Sequence, residues 1–477
     1  MKENSPNIVL IMTDQQRFDT IAELGYEHVH TPNLDRLVSE GSAFTSTYVT
    51  APSCAPSRAS LFTGLYPHSN GVLRNEDPWR HSWVEQMAEA GYRCVNVGKM
   101  HTYPYEVAAG FHERHVVENK DRYPKTNPHY LDQWDKAFWA RGVEKPGRGI
   151  YRQRADYDER MGAFVWEAPE DLHADNFVGG LATMWLDRYT GDEPFFLQVG
   201  FPGPHPPYDP TERHLRRYED VEMPPAVGTP ESLADQPDPL QELRRHNQEV
   251  DHDSVVHREN PSEEQIGRQR RHYMANVSMI DEQVGEILEG LERRGVLDDT
   301  VVIFTSDHGD CLNDHGHIQK WTMYEPSVRV PLVFWGRHHV QAQQRLDGLT
   351  SLMDIGPTIL ELAGLRAPEW MEADSLMPAL GGEPWAGRDY AFSEHARDKI
   401  LTGTALMTMV RDHRYKLVEF IDTDQGQLFD VEEDPSELHN LWDAPDYSPV
   451  RSRLQQVISR WRAQSSLDTA TWSASFR

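Results

Sequence analysis

Short apolar runs recur along this chain with helical patterns between them, an alternation that restricts the fold to an α/β class with a largely parallel sheet. The clearest runs are Asn7 to Met12, Tyr92 to Val97, Phe195 to Phe201, Thr300 to Thr305 and Pro331 to Trp335. The longest helix is predicted after Ser262, which has capping-box spacing with Gln265. Ile266, Tyr273, Met274, Val277, Ile280, Val284, Ile287, Leu288 and Leu291 return at three- and four-residue steps until Gly295 stops the pattern. That helix is a core element with no chemistry of its own.

Two stretches break the alternation, near 111–175 and 206–261, and both are rich in Pro, Arg, His, Asp and aromatic residues. They read as insertions, whose usual uses are lids, binding loops or subunit contacts, here those of a homo-oligomer. Residues 1–364 are expected to form a catalytic domain carrying these insertions. Residues 365–477 form a smaller α+β unit, with strands at Met407 to Val410, Tyr415 to Phe420 and Gln427 to Phe429 and a last helix at about Val450 to Ala463.

Composition limits the partners. The 477 residues carry a formal charge of −29, which disfavours nucleic acid and other long polyanions. No apolar run approaches the ~18 to 20 residues of a membrane span. Three widely spaced cysteines, Cys54, Cys94 and Cys311, fit a reducing compartment better than a disulfide framework. The N-terminus passes directly into the first apolar run without the pattern of a signal peptide, so a cytoplasmic location is expected.

Chemistry concentrates at a few points. Cys54 lies in Ser53-Cys54-Ala55-Pro56-Ser57-Arg58-Ala59-Ser60-Leu61-Phe62-Thr63-Gly64, a poor buried strand but a good helix start, with Pro56 in the first turn and Gly64 at the stop. A helix N-terminus gathers free amide donors and the positive end of the dipole. Asp14 and Gln15 follow the first strand, and Asp307 and His308 follow the strand Thr300 to Thr305. Ligands collect outside the carboxyl ends of strands in open α/β sheets. Either pair alone reads more simply as a helix cap. Together with a cysteine at a helix start, the two pairs can converge on one divalent ion.

The Cys-x-Pro-Ser-Arg core followed by Leu-Phe-Thr-Gly resembles the modification signature of the sulfatases, in the alkaline phosphatase superfamily. Further elements resemble that family in its order: Gly98-Lys99-Met100-His101, His205 in Gly203-Pro204-His205-Pro206, Lys320 ahead of Val328-Arg329-Val330-Pro331, and the ending Gln427-Leu428-Phe429-Asp430. The resemblance implies an alkaline-phosphatase-like mixed, mostly parallel sheet between helices, with a smaller C-terminal antiparallel sheet and helix. It also implies that a maturation enzyme oxidises Cys54 to formylglycine, whose aldehyde hydrate is the nucleophile. Asp14, Gln15, Asp307 and His308 would hold the metal with that residue. Many sulfatases carry Asp-Asp and Asp-Asn at these points, so Gln15 and His308 are departures. Oxygen donors suit calcium and an imidazole favours manganese, which leaves Ca2+ narrowly preferred and Mn2+ the alternative.

The same resemblance assigns Lys99 and Lys320 to the sulfuryl oxygens, and Arg58 to those oxygens and the formylglycine hydrate. Asp307 would help deprotonate the attacking hydroxyl. His205, assisted by Lys320, would protonate the leaving oxygen. His101 would deprotonate the second hydroxyl of the hydrate, expelling sulfate; an unmodified cysteine has no second hydroxyl and stays trapped. Arg17, Arg74 and Asn75 are further candidates for binding an anionic substrate. Trp79, Trp83, Tyr103 and Tyr105 are candidates for the pocket wall, and His315 and His317 for the substrate side.

The expected reaction is hydrolysis of a small sulfate monoester. A phosphonate monoester or phosphodiester hydrolase of the same superfamily is the nearest rival, disfavoured by the Gly-Lys-x-His element. A silent binding protein with unmodified Cys54 is the rival of another class.

Overall fold

A computed structural model describes residues 5–121 and 129–470; part of the first insertion and the extreme N-terminus on which the signal-peptide reading partly rests lie outside the described residues. Its main sheet has nine strands: β1 (Asn7–Asp14), β2 (Ser42–Tyr48), β3 (Arg93–Gly98), β4 (Glu113–Val116), β5 (Phe195–Pro204), β6 (Thr300–Ser306), β7 (Arg329–Trp335), β8 (Gln344–Leu346) and β9 (Thr350–Ser351). They lie in the order β4-β3-β5-β1-β6-β7-β2-β8, with β9 also on β2. Pairing is parallel from β4 through β6, antiparallel on both sides of β7, and parallel again where β8 and β9 meet β2.

The centre of this sheet follows from its sequence. Every residue of β1 and β6 is buried, as expected of parallel strands covered on both faces. Alternation then divides the side chains: Ile8, Leu10 and Met12 enter one apolar core, and Val9 and Ile11 the other. On the second face, Ala174–Arg188 packs against Glu263–Arg293, the helix predicted after Ser262. Its capping box is formed: Gln265 N donates to Ser262 Oγ at 3.2 Å, and Ser262 N to Gln265 Oε1 at 3.0 Å.

Register sets where the chemistry falls. Thr13 of β1 is level with Ser306 of β6, so Asp14 and Asp307 leave neighbouring strands at the same edge. On the other side Asp14 is level with Pro204, and Gly98 of β3 is level with Gly200 of β5. A Cβ on Gly98 would stand 2.1 Å from the Gly200 carbonyl oxygen, and its φ of +91° is open chiefly to glycine. That close approach allows the chain to turn directly into Lys99.

The insertions are more ordered than expected. The first contributes edge strand β4 and the short helices Gln133–Arg141, Arg148–Arg152 and Tyr157–Arg160. The second forms Asp238–Glu249, whose Leu240 and Leu243 enter the main core. After them come β10 (Ala391–Ala396), β11 (Leu406–Arg411), β12 (Tyr415–Phe420) and β13 (Gly426–Asp430), an antiparallel sheet in sequence order. One face packs on the helix Ser448–Asp468 through Val410, Leu417, Leu428, Leu454 and Ile458. The other places Met407, Met409, Val418 and Phe420 in the main core. Among the described residues no helix is long and apolar enough to cross a membrane.

Candidate active site

Cys54 is the first residue of a ten-residue helix, Cys54–Thr63, that is buried along its whole length and ends at Gly64, in a left-handed conformation with its N–H on Ser60 O. The start of that helix points Sγ at the carboxyl edge of the sheet. Lys320 Nζ lies 3.0 Å from Sγ, His308 Nε2 3.1 Å and Asp14 Oδ1 3.7 Å. Burial and the Asp14 carboxylate act to raise the thiol's pKa, but Lys320, Lys99 and His308 outweigh them and hold it below its ordinary value. The environment is built for an anionic or electron-rich group at this point.

Asp14, Cys54, Asp307 and His308 each offer one ligand atom, all within 4.8 Å of one another and all buried. The imidazole is oriented to act as a ligand, because His308 Nδ1 donates to Gly309 O at 2.9 Å and so turns the Nε2 lone pair toward the cluster. Gln15, at φ +73°, has its side-chain amide sorted in the same way. Its Nε2 donates to Asp310 Oδ2 at 2.7 Å, so Oε1 faces inward, 3.0 Å from Lys320 Nζ. Two carboxylates, an imidazole nitrogen and an inward amide oxygen form a donor set that fits one divalent cation.

Buried cations balance the carboxylates. Arg58, with no exposed surface, donates from Nε to Asp307 Oδ2 at 2.6 Å and from Nη1 to Lys99 O at 2.9 Å, while Nη2 lies 3.4 Å from Asp14 Oδ2. Its three nitrogens tie together the ends of β1, β3 and β6, so it holds the Asp14 and Asp307 carboxylates in place. Lys99 Nζ pairs with Asp14 and donates to Asn119 Oδ1 at 3.0 Å. Burial works to raise the Asp14 pKa, and Lys99, His205, Lys320 and Arg58 together hold it well below the usual carboxylate range. Lys320 stays cationic for the converse reason: burial lowers its pKa, and Cys54, Asp14 and Asp253 raise it above the ordinary value.

His205 and His101 follow β5 and β3 at the same edge of the sheet. His205 Nδ1 donates to Pro206 O at 2.8 Å, leaving Nε2 directed into the site. His101 takes a left-handed φ of +61°, its N–H donates to Glu118 Oε1 at 3.0 Å, and it borders a cleft of about 620 Å³. Arg74, Asn75, Tyr103 and Tyr105 line that cleft, together with His252 from the second insertion and Arg397 and Lys399 from the C-terminal sheet region.

Other candidates are placed elsewhere. Arg17 donates from Nε and Nη2 to Asp19 at 2.7 Å each, and from Nη1 to Asp314 Oδ2 at 2.8 Å, so its guanidinium serves the framework and not an incoming anion. Trp79 and Trp83 pack on Phe62 in the core. His315 stacks on Tyr324 at a centroid distance of 3.7 Å, and His317 contacts Gln236 Oε1 at 3.2 Å; both are buried away from the cleft. Glu118 and Asn119 join the site without having been candidates from sequence; they follow β4 as Lys99 follows β3, and that parallel was the available signal. His252 and Asp253 were likewise missed, and no local pattern marks them.

Comparison with known proteins agrees with this geometry. The sulfatase family matches residues 6–365, a span that contains every residue of the cluster from Asp14 to Lys320, and the C-terminal family of N-sulphoglucosamine sulphohydrolase matches 313–464. An arylsulfatase of Clostridium perfringens is 31% identical over 471 residues, covering 95% of this chain and 93% of that protein. A choline-sulfatase of Rhizobium meliloti is 32% identical over 462 residues, covering 93% and 84%. Among solved structures, a phosphonate monoester hydrolase of Agrobacterium radiobacter superposes with a TM-score of 0.82 at 26% identity, covering 96% of each chain. With the cysteine helix and the β1 and β6 edges all inside the matched span, the chain belongs to the sulfatase family of the alkaline phosphatase superfamily and is a sulfuric ester hydrolase.

Proposed function

We propose that this protein hydrolyses a small sulfate monoester to an alcohol and inorganic sulfate, using formylglycine made from Cys54 by a maturation enzyme. The observation that carries the reading is Cys54 Sγ at a helix start, within 3.1 Å of both Lys320 Nζ and His308 Nε2 and inside the four-residue donor cluster. Asp14, Gln15, Asp307 and His308 would hold one divalent cation, Ca2+ narrowly ahead of Mn2+. When bound, that cation neutralises charge on the sulfuryl oxygens and favours the ionised nucleophile.

A sulfate ester resists attack because its oxygens are negative and its alkoxide leaves poorly. Lys99 and Lys320 supply positive charge from a water-poor pocket, where it acts strongly on developing charge. Arg58 keeps Asp14 and Asp307 in position. Asp307 accepts the proton of the attacking hydroxyl, and His205 with Lys320 protonates the departing oxygen. His101 accepts the proton of the second hydroxyl of the hydrate, so that sulfate leaves and the aldehyde returns.

Lys99 and His101 favour sulfate over phosphonate. The test is a kinetic comparison of aryl sulfates, choline sulfate and sulfated sugars with phenyl phosphonate esters. Sulfate release with the larger kcat/KM is expected; a large preference for phosphonate would overturn the assignment.

A further inference from the structure

The two insertions meet beside His205. Asp253, from the second, is 8% exposed, and its Oδ1 lies 3.0 Å from Arg148 Nη2 of the first. Arg148 is itself fixed, donating from Nη1 to Lys120 O, while its own carbonyl accepts from Ser254 Oγ at 3.2 Å. The second carboxylate oxygen, Oδ2, is thereby aimed at His205 Nε2, 3.9 Å away. That nitrogen is buried and has no hydrogen-bond partner among the described residues.

We propose that Asp253 is a positioning residue for leaving-group protonation, favouring the cationic form of His205 through space while Nε2–H stays available to the departing oxygen. The inference rests on the sulfate ester hydrolase reading given above. A separation of 3.9 Å is too long for a hydrogen bond but short for two opposite charges in a buried site. A carboxylate closer in would accept the Nε2 proton itself. At this distance it favours imidazolium and leaves the donor direction free. Such a partner is needed here, because burial and Lys320, with Lys99 behind them, hold His205 well below the ordinary imidazole range, and Asp253 and Asp14 only partly oppose them. The substrate's negative charge adds to the same effect.

Protons and electrons balance. As the S–O bond to the alcohol breaks, its electron pair stays on oxygen and takes the proton from Nε2. Neutral imidazole remains, with Nδ1–H still on Pro206 O, and solvent water returns a proton to Nε2 before the next turnover.

The experiment uses the full-length, matured enzyme and a series of sulfate esters whose leaving groups run from 4-nitrophenol to phenol to a simple alcohol. Asp253→Asn is expected to lose a few-fold in kcat/KM on 4-nitrophenyl sulfate and roughly 30-fold or more on phenyl sulfate, within the range of general acid catalysis. Asp253→Glu should recover most of the larger loss. An equal loss on every ester, or none, would overturn the proposal and leave Asp253 as a structural partner of Arg148. If Asp253→Asn does not fold by circular dichroism, the wild-type series decides: a shallow dependence on leaving-group basicity is expected, and a steep one contradicts the proposal. Wild-type release of sulfate from 4-nitrophenyl sulfate tests the underlying hydrolase reading separately.

Discussion

Arg58 Nε donates to Asp307 Oδ2 at 2.6 Å, and neither side chain has any exposed surface. The signature sequence around Cys54 therefore does two jobs on one helix: it presents Cys54 to the carboxyl edge of the sheet, and one turn later it anchors the carboxylate at the end of β6. Removing the guanidinium takes the close cationic partner from buried Asp307, while Asp14 keeps Lys99, a change that costs about 3 to 5 kcal/mol. Arg58→Met is expected to lower stability by that amount in urea denaturation and to abolish turnover. Arg58→Lys keeps one charge but cannot reach Asp307, Asp14 and the Lys99 carbonyl at once, so it too should be inactive.

On the proposed assignment, Gln15 and His308 would set the metal preference. Replacing them together, Gln15→Asp with His308→Asn, exchanges an amide oxygen for a carboxylate and an imidazole for an amide oxygen. The double variant should shift the Ca2+ to Mn2+ affinity ratio at least about tenfold toward calcium, read by metal content after dialysis against equal concentrations of both ions. Chelation of either protein is expected to reduce activity roughly 100-fold or more, with recovery on adding a divalent cation.

Arg17 and Arg74 separate framework from cleft. Arg17→Ala would remove the guanidinium held by Asp19 and one of the two that hold buried Asp314, leaving Arg270, and should cost about 1 to 3 kcal/mol of stability. Arg74 is exposed at the cleft, so Arg74→Ala should change stability by less than about 0.5 kcal/mol and act, if on anything, on KM. Thermal unfolding and steady-state kinetics on both variants distinguish the two roles.

Acid should destabilise the protein through buried neutral histidines away from the Asp14, Cys54, Asp307 and His308 cluster. Burial holds His257 and His272 at about 4, below the ordinary imidazole value. Because the folded-state pKa is depressed, the stability they contribute is present above the unfolded pKa near 6.5 and is lost as pH falls toward 4. Each is worth about 3 kcal/mol across that window. Denaturant midpoints measured from about pH 7 to about pH 4 should fall accordingly, and His272→Asn should make the fall shallower.

Much of the fold was legible because β1, β3, β5 and β6 are buried on both faces, which forces apolar runs such as Ile8 to Met12. Asp14, Lys99, His205 and Asp307 could be read as a group because each follows such a run. Strand β2, Ser-Ala-Phe-Thr-Ser-Thr-Tyr, was missed because its Ser and Thr content carries little apolar signal, and pairing with β7, β8 and β9 stabilises it instead. β10 was missed for a similar reason: Ser393, Glu394 and His395 are buried polar residues, with Glu394 satisfied by His68 and Arg462 from distant segments. Asp253 was hidden most deeply. Its neighbours in sequence form no strand end, and its place beside His205 depends on Arg148, far earlier in the chain.

The measurement that tests the central claim most directly follows Cys54 itself. Samples with different degrees of maturation, made by varying coexpression of the maturation enzyme, are weighed by intact mass and assayed for sulfate release. Conversion of the thiol to the aldehyde lowers the mass by about 18 Da. Turnover should rise in proportion to the converted fraction and vanish in Cys54→Ala. Equal turnover by protein that retains the thiol would contradict the account.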